Sequence, residues 1–168
     1  MKKNNQPISA STYFHGKSYT EKMILFTAFG FGSGLAKFAP GTWGTLPGLV
    51  LAYFLMPHPW LHLLTIVALT ALGIWLCQRA SDLLKTHDHS SIVIDEIVGV
   101  CITLLFLPAS PWALLLGFVF FRFFDIVKPW PIRWVDRRVH GGLGIMLDDI
   151  IAGVFAAVPL QLIWYYFF

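Results

Sequence analysis

The sequence is short of charged residues, and this shortage separates it from soluble domains. Only 12% of its 168 residues are Asp, Glu, Lys or Arg, and 57% are hydrophobic. A soluble domain carries about 25% charged residues, because it needs a hydrated surface. The mean hydropathy of +0.67 therefore predicts a protein that has lipid as well as water for a solvent. The same composition excludes a disordered chain, because disordered chains are poor in apolar residues.

Cysteine is also scarce, and the basic residues are scattered. Cys77 and Cys101 both lie in apolar runs, so we expect buried thiols and no disulfide scaffold. The sequence has no Cys-x-x-Cys pattern and no His/Cys pattern typical of a metal site. The net charge is only +3 and the Lys and Arg residues form no single stripe, so we expect no nucleic-acid partner. The polar residues after Lys2 and Lys3 argue against a signal peptide.

The apolar residues are gathered in runs that follow a polar first segment. We expect residues 1–22 to form a polar N-terminal tail and residues 23–168 to form one membrane-embedded domain. A simple membrane span needs about 20 apolar residues, and several runs are shorter, so some segments are predicted to be short or re-entrant. The predicted fold is an all-α, polytopic membrane bundle of about five segments. Its apolar runs cover residues 46–56, 60–77, 92–107, 112–124 and 150–168.

The connections between these runs differ in charge. Residues 57–59 and 108–111 are short, rich in proline and free of Lys and Arg. Residues 78–91 and 125–149 are longer and contain six Lys or Arg residues. Short basic loops stay in the cytoplasm, so the N-terminus and both longer connections are predicted to be cytoplasmic.

The acidic residues are concentrated in one part of the chain. Seven of the nine lie between positions 88 and 149, and Asp95 and Glu96 fall inside an apolar run. A carboxylate at membrane depth costs at least a few kcal/mol, so it persists when it is paired, binds a metal or faces a wet cavity. A structural ion pair with Arg79 or Arg122 is the alternative to a functional site.

Helical spacing places these acids beside small residues. Asp95 and Gly99 are four residues apart, as are Asp149 and Gly153, so each pair shares a helix face. A glycine one turn beyond a carboxylate leaves room for a ligand or a neighbouring helix. Asp148 and Asp149 follow a glycine-rich segment, and we expect them to start a helix, with N-terminal capping as an alternative role.

Acids from three separate helices are therefore predicted to converge at one depth. Hard oxygen ligands without His or Cys favour Mg²⁺ or Mn²⁺. Lys128 and Arg133 lie nearby and suit phosphate binding, whereas Arg137 and Arg138 also fit the bias for basic cytoplasmic loops. Arg122 and Asp125 are three residues apart, and a simple intrahelical pair is their alternative.

The segment His87-Asp88-His89 resembles a cluster of metal ligands. Adjacent histidines on an extended loop more often face water, so Asp88 and His89 are included only as further candidates for the site.

Five motifs follow one another along the chain. They are Gly32-Ser33-Gly34-Leu35, Pro40-Gly41-Thr42-Trp43-Gly44-Thr45, and the segments 88–99, 121–133 and 140–153. Together these motifs resemble the phosphatidylglycerophosphatase A family. The resemblance implies a multi-pass enzyme of the bacterial inner membrane, with its active site facing the cytoplasm. It also implies Mg²⁺-dependent conversion of phosphatidylglycerophosphate to phosphatidylglycerol and inorganic phosphate.

The residues and the resemblance together suggest a role for each group of candidate residues. Mg²⁺ held by four acids would neutralise the phosphate and orient a water molecule. Asp125 is a candidate further ligand or general base, and Arg122 and Lys128 are candidate phosphate clamps. Backbone amides near Gly41 and Thr42 are expected to form an anion-binding nest. The predicted metal ligands are Asp95, Glu96, Asp148 and Asp149.

Three alternatives to this assignment stay open at this point. An aspartate such as Asp95 or Asp125 would attack phosphorus directly in a route through an aspartyl-phosphate, although attack by water is preferred. A second alternative is a lipid phosphatase that acts on another phosphomonoester lipid. A small ion transporter lined by carboxylates is the non-enzymatic alternative, and it predicts acids spread through the membrane depth.

Cysteine labelling of intact cells tests the predicted topology. A reagent that does not cross the membrane should label the Ala109→Cys variant and miss the Lys85→Cys variant, because position 109 lies in a proline hairpin without basic residues and position 85 in a basic connection. Labelling at position 85 would overturn this orientation.

Overall fold

The computed structural model describes residues 10–86 and 89–167, and these residues form helices and connections without any strand. This confirms the predicted all-α class. Within the described ranges there are eight α-helices and one short 3₁₀ turn at Ser33–Leu35. The α-helices are α1 (Ala10–Phe14), α2 (Tyr19–Ala28), α3 (Pro40–Leu55), α4 (Pro59–Leu84), α5 (Ile94–Leu104), α6 (Pro111–Val127), α7 (Ile132–Arg138) and α8 (Gly141–Phe167).

Helix α5 lies at the centre of the fold. It packs against α3, α4, α6 and α8, and nine of its eleven residues are buried. At about 1.5 Å per residue, its eleven residues extend about 16 Å, roughly half of the hydrocarbon thickness of a bilayer. The apolar run at residues 92–107 is therefore mostly a core helix surrounded by protein.

Helices α4 and α8 are the two described helices that are long and apolar enough to cross a membrane. Their 26 and 27 residues extend about 39 and 40 Å. Only 28% of the most apolar window of α4 is buried inside the protein, so most of this helix has an apolar outer surface. The predicted number of five segments and the cytoplasmic N-terminus remain predictions.

Helix α6 extends the apolar outer surface. Large hydrophobic side chains that are half or more exposed lie along its outward face, and an apolar surface of this extent is rare on a soluble monomer. Trp112, Leu115, Val119, Phe123 and Ile126 form this row.

Two local expectations about the backbone are wrong. The segment after Pro40 has two glycines and two threonines within five residues, a composition typical of a turn, but it is helical and forms the first turns of α3. Asp148 and Asp149 do not start a helix, because α8 already begins at Gly141. The Gln78 side chain of α4 accepts a hydrogen bond from the Gly142 amide at 2.8 Å and so satisfies a donor at the new helix start. The two acids therefore lie two turns inside α8, and N-terminal capping is not their role.

The beginning of the described chain is helical. Ser18 and Glu21 form a reciprocal capping box at the start of α2, and this hydrogen bonding lowers the pKa of Glu21. Helix α2 packs on α4, and Lys17 donates a hydrogen bond to the Leu83 carbonyl at 3.1 Å. Since α2 crosses the expected boundary between residues 22 and 23, the division into a tail and a domain stays a prediction.

Helices α5 and α8 cross at two glycines. A Cβ atom on Gly153 would contact the Gly99 carbonyl group, and one on Gly99 would contact the Phe121 ring and the Asp149 carbonyl oxygen. The Thr103 hydroxyl donates a hydrogen bond to the Gly99 carbonyl oxygen at 3.0 Å. The same hydroxyl lies 3.3 Å from the Gly153 carbonyl oxygen of α8. The expected room beside Asp95 and Asp149 is thus taken up by the neighbouring helix.

Substitution of Gly153 tests this crossing. Gly153→Val should lower the free energy of unfolding by about 1–3 kcal/mol, because the new side chain must displace backbone atoms of α5. Thermal unfolding in detergent measures the effect. Val154→Ala, on the exposed side of the same helix, is the control and should change stability little; equal losses in both variants would contradict the close crossing.

Candidate active site

A cavity of about 310 Å³ opens where four helices meet at one end of the bundle. The starts of α3 and α5, the end of α6 and the third turn of α8 all contribute to it. Its walls contain five carboxylates and two cations. The lining residues are Ala39, Pro40, Gly41, Ser90, Ile92, Asp95, Glu96, Arg122, Asp125, Ile126, Lys128, Asp148 and Asp149.

The start of α5 brings two of these acids to the cavity. Asp95 and Glu96 occupy the first turn of α5, where the positive end of the helix dipole favours negative charge. The amide of Val93 donates to the Ala28 carbonyl oxygen at 3.0 Å, which ties this helix start to the end of α2. Asp95 is only 8% exposed, so its carboxylate is fixed in a largely dry environment.

Arg122 of α6 joins two acids of the cavity. Its Nη1 atom lies 3.1 Å from Glu96 Oε1 and 2.5 Å from Asp125 Oδ2. Two ion pairs that were considered as alternatives to a functional role are therefore present. Arg122 pairs with Glu96 of α5 and, within α6, with Asp125. The Nε atom of Arg122 is buried without a hydrogen-bond partner, so these two ion pairs do not use all of the guanidinium's donors.

Two glycines of α3 allow the helix to approach this ion pair. A Cβ atom on Gly41 would collide with Glu96 and Arg122, and one on Gly44 would collide with Val93 and Glu96. The motif around these glycines therefore contributes space to the site. Thr42 does not line the cavity, and its amide already donates to the Ala39 carbonyl oxygen at 2.9 Å.

Lys128 ends α6 and turns toward α8. Its Nζ atom lies 2.5 Å from Asp148 Oδ2 and 2.8 Å from Asp136 Oδ1. Partial burial would lower the pKa of Lys128, but the two carboxylates outweigh that effect and raise it above its ordinary value. Lys128 has a left-handed backbone with φ of 45°, as does Ala39 on the opposite wall with φ of 46°. Strained backbone of this kind is concentrated at functional sites.

Asp149 is the most enclosed acid of the cavity. It is 3% exposed, and its Oδ2 atom is buried without a hydrogen-bond partner. It lies within electrostatic range of Asp125, Asp95, Asp148 and Glu96. A buried carboxylate oxygen without a donor, surrounded by like charges, is costly unless a cation or a proton neutralises the charge.

The structure brings together most, but not all, of the residues predicted from the sequence. The five acids, Arg122, Lys128 and Gly41 share the cavity, whereas Thr42 and Arg133 lie outside it. The His89 ring packs edge-on against Tyr13 at 5.3 Å, and its Nδ1 atom accepts from the Ser91 amide. Asp88 lies outside the described residues.

One polar residue of the cavity wall was not predicted from the sequence. Ser90 lines the cavity, and the apolar lining residues Ile92 and Ile126 were not predicted either. The position of Ser90 inside the motif at residues 88–99 was the signal that could have identified it.

These features define a class of protein: a helical protein with apolar outer faces and an acidic, partly cation-paired cavity at one end. A family model described as phosphatidylglycerophosphatase A matches residues 26–164. The chain belongs to this family, which is a family of phosphatases, and the family together with the two apolar helices indicates membrane association.

Individual relatives agree with the family model. A phosphatidylglycerophosphatase A of Escherichia coli K12 is 48% identical over 138 residues, 81% of this chain and 80% of the relative. One of Haemophilus influenzae is 44% identical over 146 residues, 85% of this chain and 90% of the relative. A Bacteroides thetaiotaomicron protein, named provisionally as a phosphatidylinositol-3-phosphatase, is 39% identical over 138 residues, 77% of this chain and 86% of the relative. No solved structure matches the chain.

The surroundings of the acids predict opposite effects on stability. Asp149→Asn should leave the unfolding temperature unchanged or raise it, because the amide removes a buried charge from among four carboxylates. Glu96→Gln should lower the free energy of unfolding by about 1–3 kcal/mol, because Arg122 loses a charged partner.

Thermal unfolding in detergent with EDTA measures both effects free of any bound cation. Asp82→Asn, at an exposed position outside the cavity, is the control and should be near neutral. A clear loss of stability in Asp149→Asn would contradict this description of its surroundings.

Proposed function

We propose that the chain is a Mg²⁺-dependent phosphatase that converts phosphatidylglycerophosphate to phosphatidylglycerol and inorganic phosphate. It acts as a multi-pass protein of the bacterial inner membrane, with its cavity facing the cytoplasm. The observation that carries the proposal is the meeting of five carboxylates with Arg122 and Lys128 in one cavity of a phosphatidylglycerophosphatase A family member. The substrate follows the names of the Escherichia coli and Haemophilus influenzae relatives.

The donor atoms of the cavity fit a hard divalent cation. They are carboxylate oxygens, and the buried Oδ2 atom of Asp149 needs a positive partner. Within the described residues, no three His, Cys, Asp or Glu side chains form a ready-made metal cluster. Mg²⁺ does not require one, because it commonly binds one or two carboxylates together with water and substrate phosphate.

Asp149 and Asp95 are the acids best placed to hold the cation. Asp149 has the buried oxygen without a hydrogen-bond donor, and Asp95 faces it from α5 within electrostatic range. Asp148 and Glu96 complete the acidic wall and are also paired with Lys128 and Arg122. When bound, Mg²⁺ supplies positive charge that offsets the phosphate dianion and promotes in-line attack by water.

The remaining residues of the cavity act on the substrate and on protons. The guanidinium of Arg122 lines the cavity, and its planar set of N–H donors suits a phosphate oxygen. Asp125 can accept a proton from the attacking water as the new oxygen–phosphorus bond forms. The bond between phosphorus and the glycerol oxygen then breaks, and this leaving oxygen takes up a proton from solvent water. Lys128 holds Asp148 in position from the end of α6.

Other substrates and mechanisms make different predictions. The name of the Bacteroides thetaiotaomicron relative favours a phosphorylated inositol lipid as a second candidate substrate. A transporter would need acids through the membrane depth, whereas five of the described acids line one end of the bundle.

An activity assay in detergent tests the proposal. The purified chain should release phosphate from phosphatidylglycerophosphate with Mg²⁺, prefer it to phosphatidic acid and phosphatidylinositol 3-phosphate, and lose activity in EDTA. Asp95→Asn and Asp149→Asn should each reduce turnover by roughly a hundredfold or more, because each removes a preorganised charge.

The matched control is Asp82→Asn, which should keep its activity because Asp82 lies outside the cavity. Full activity in EDTA would replace the metal-dependent mechanism with a metal-free one. A preference for phosphatidylinositol 3-phosphate would overturn the proposed substrate.

A further inference from the structure

A second cavity, of about 590 Å³, lies beside the acidic one. It is formed by the end of α6, the connection through the cis Trp130–Pro131 peptide and the outward side of α7. Lys128 lines both cavities, so the two are adjacent. The other polar and aromatic residues of the second cavity are Trp130, Arg133, Trp134, Arg137 and Arg138.

The second cavity is cationic where the first is acidic. Arg133, Arg137 and Arg138 are exposed, and none of the three forms an ion pair with any residue that the structure describes. The Arg138 guanidinium lies over the Trp134 ring at 5.1 Å, a cation–π contact that restricts its orientation. The three guanidinium groups therefore present donors and positive charge that no carboxylate of the described chain neutralises.

Packing of α7 fixes the position of these groups. Ile132 is fully buried and Val135 is 7% exposed, and both anchor α7 to the body of the protein. Helix α7 packs against α8, the helix that also carries Asp148 and Asp149. The backbone positions that carry the arginines are therefore held beside the acidic cavity.

We propose that the second cavity binds the bridging phosphodiester of the lipid substrate while the terminal phosphate occupies the acidic cavity. This inference rests on the proposed function, because phosphatidylglycerophosphate has two phosphates joined by one glycerol. The phosphodiester is a single anion with two free oxygens, which suits guanidinium donors. The exposed Trp130 and Trp134 suit the headgroup region of a bilayer, where this phosphodiester lies.

The arrangement makes the second cavity a determinant of specificity. A lipid with only a terminal phosphate, such as phosphatidic acid, has no second anion to place against the arginines. The product phosphatidylglycerol retains the phosphodiester and lacks the terminal phosphate. It should therefore bind through the second cavity alone.

Binding of short-chain phosphatidylglycerol to the detergent-solubilised chain, measured by calorimetry without substrate turnover, tests the inference. The double variant Arg137→Gln/Arg138→Gln should bind it about tenfold or more weakly, because charge-assisted hydrogen bonds are lost. Arg79→Gln removes a charge from an exposed position of α4 outside the cavity and should bind normally. Phosphatidylcholine of the same chain length, which has a phosphodiester but no net charge, should bind more weakly than phosphatidylglycerol.

Two results would overturn the inference. Equal binding by the unsubstituted chain and the double variant would show that the arginines do not contact the lipid. An equal loss of phosphatidylglycerol binding in Arg79→Gln would show that binding depends only on the overall positive charge of the protein surface. Contact with bulk anionic lipid would give that result. Failure of the proposed function looks different, because the unsubstituted chain would then bind phosphatidylglycerol but release no phosphate from phosphatidylglycerophosphate.

Discussion

The structure depends on confining five carboxylates among apolar helices. Each carboxylate loses hydration in the cavity and repels its neighbours, and only Arg122 and Lys128 offset them within it. Several features follow from this constraint. Gly41 and Gly44 let α3 approach the Glu96–Arg122 pair, and a left-handed backbone turns Lys128 toward Asp148. The remaining negative charge is what makes the cavity suited to a cation and a phosphate.

The sequence predicted the chemistry of the cavity better than its architecture. Asp95 and Glu96 were identified because a carboxylate inside an apolar run is costly unless it has a partner or faces water. Both line the cavity. Hydropathy does not distinguish a helix surrounded by lipid from one surrounded by protein, so it could not show that α5 packs against four other helices at the centre of the fold. The start of α8 depends on Gln78, 64 residues before Gly142, and no local pattern reveals that contact. Arg133 was assigned to the acidic cavity because it is near Lys128 in sequence, but α7 directs it into the neighbouring one.

The two cavities suggest how one small bundle handles a lipid with two phosphates. Under the proposed function, the carboxylates and Arg122 of the acidic cavity would serve hydrolysis, and the three arginines of the cationic cavity would serve recognition. Lys128 lies between them and is held by Asp136 and Asp148. Apolar faces of α4 and α6 keep the chain in contact with lipid, so the substrate would need little displacement from the bilayer to reach both cavities.

The proposed function depends on binding of a divalent cation by the excess carboxylates of the acidic cavity. Titration of the detergent-solubilised chain with Mn²⁺, followed by the electron paramagnetic resonance signal of the free ion, measures this binding without any substrate. We expect saturable Mn²⁺ binding that Mg²⁺ displaces, that Asp149→Asn abolishes and that Asp82→Asn leaves intact. Absence of binding, or equal binding by the Asp149→Asn variant, would show that these carboxylates do not hold the cation.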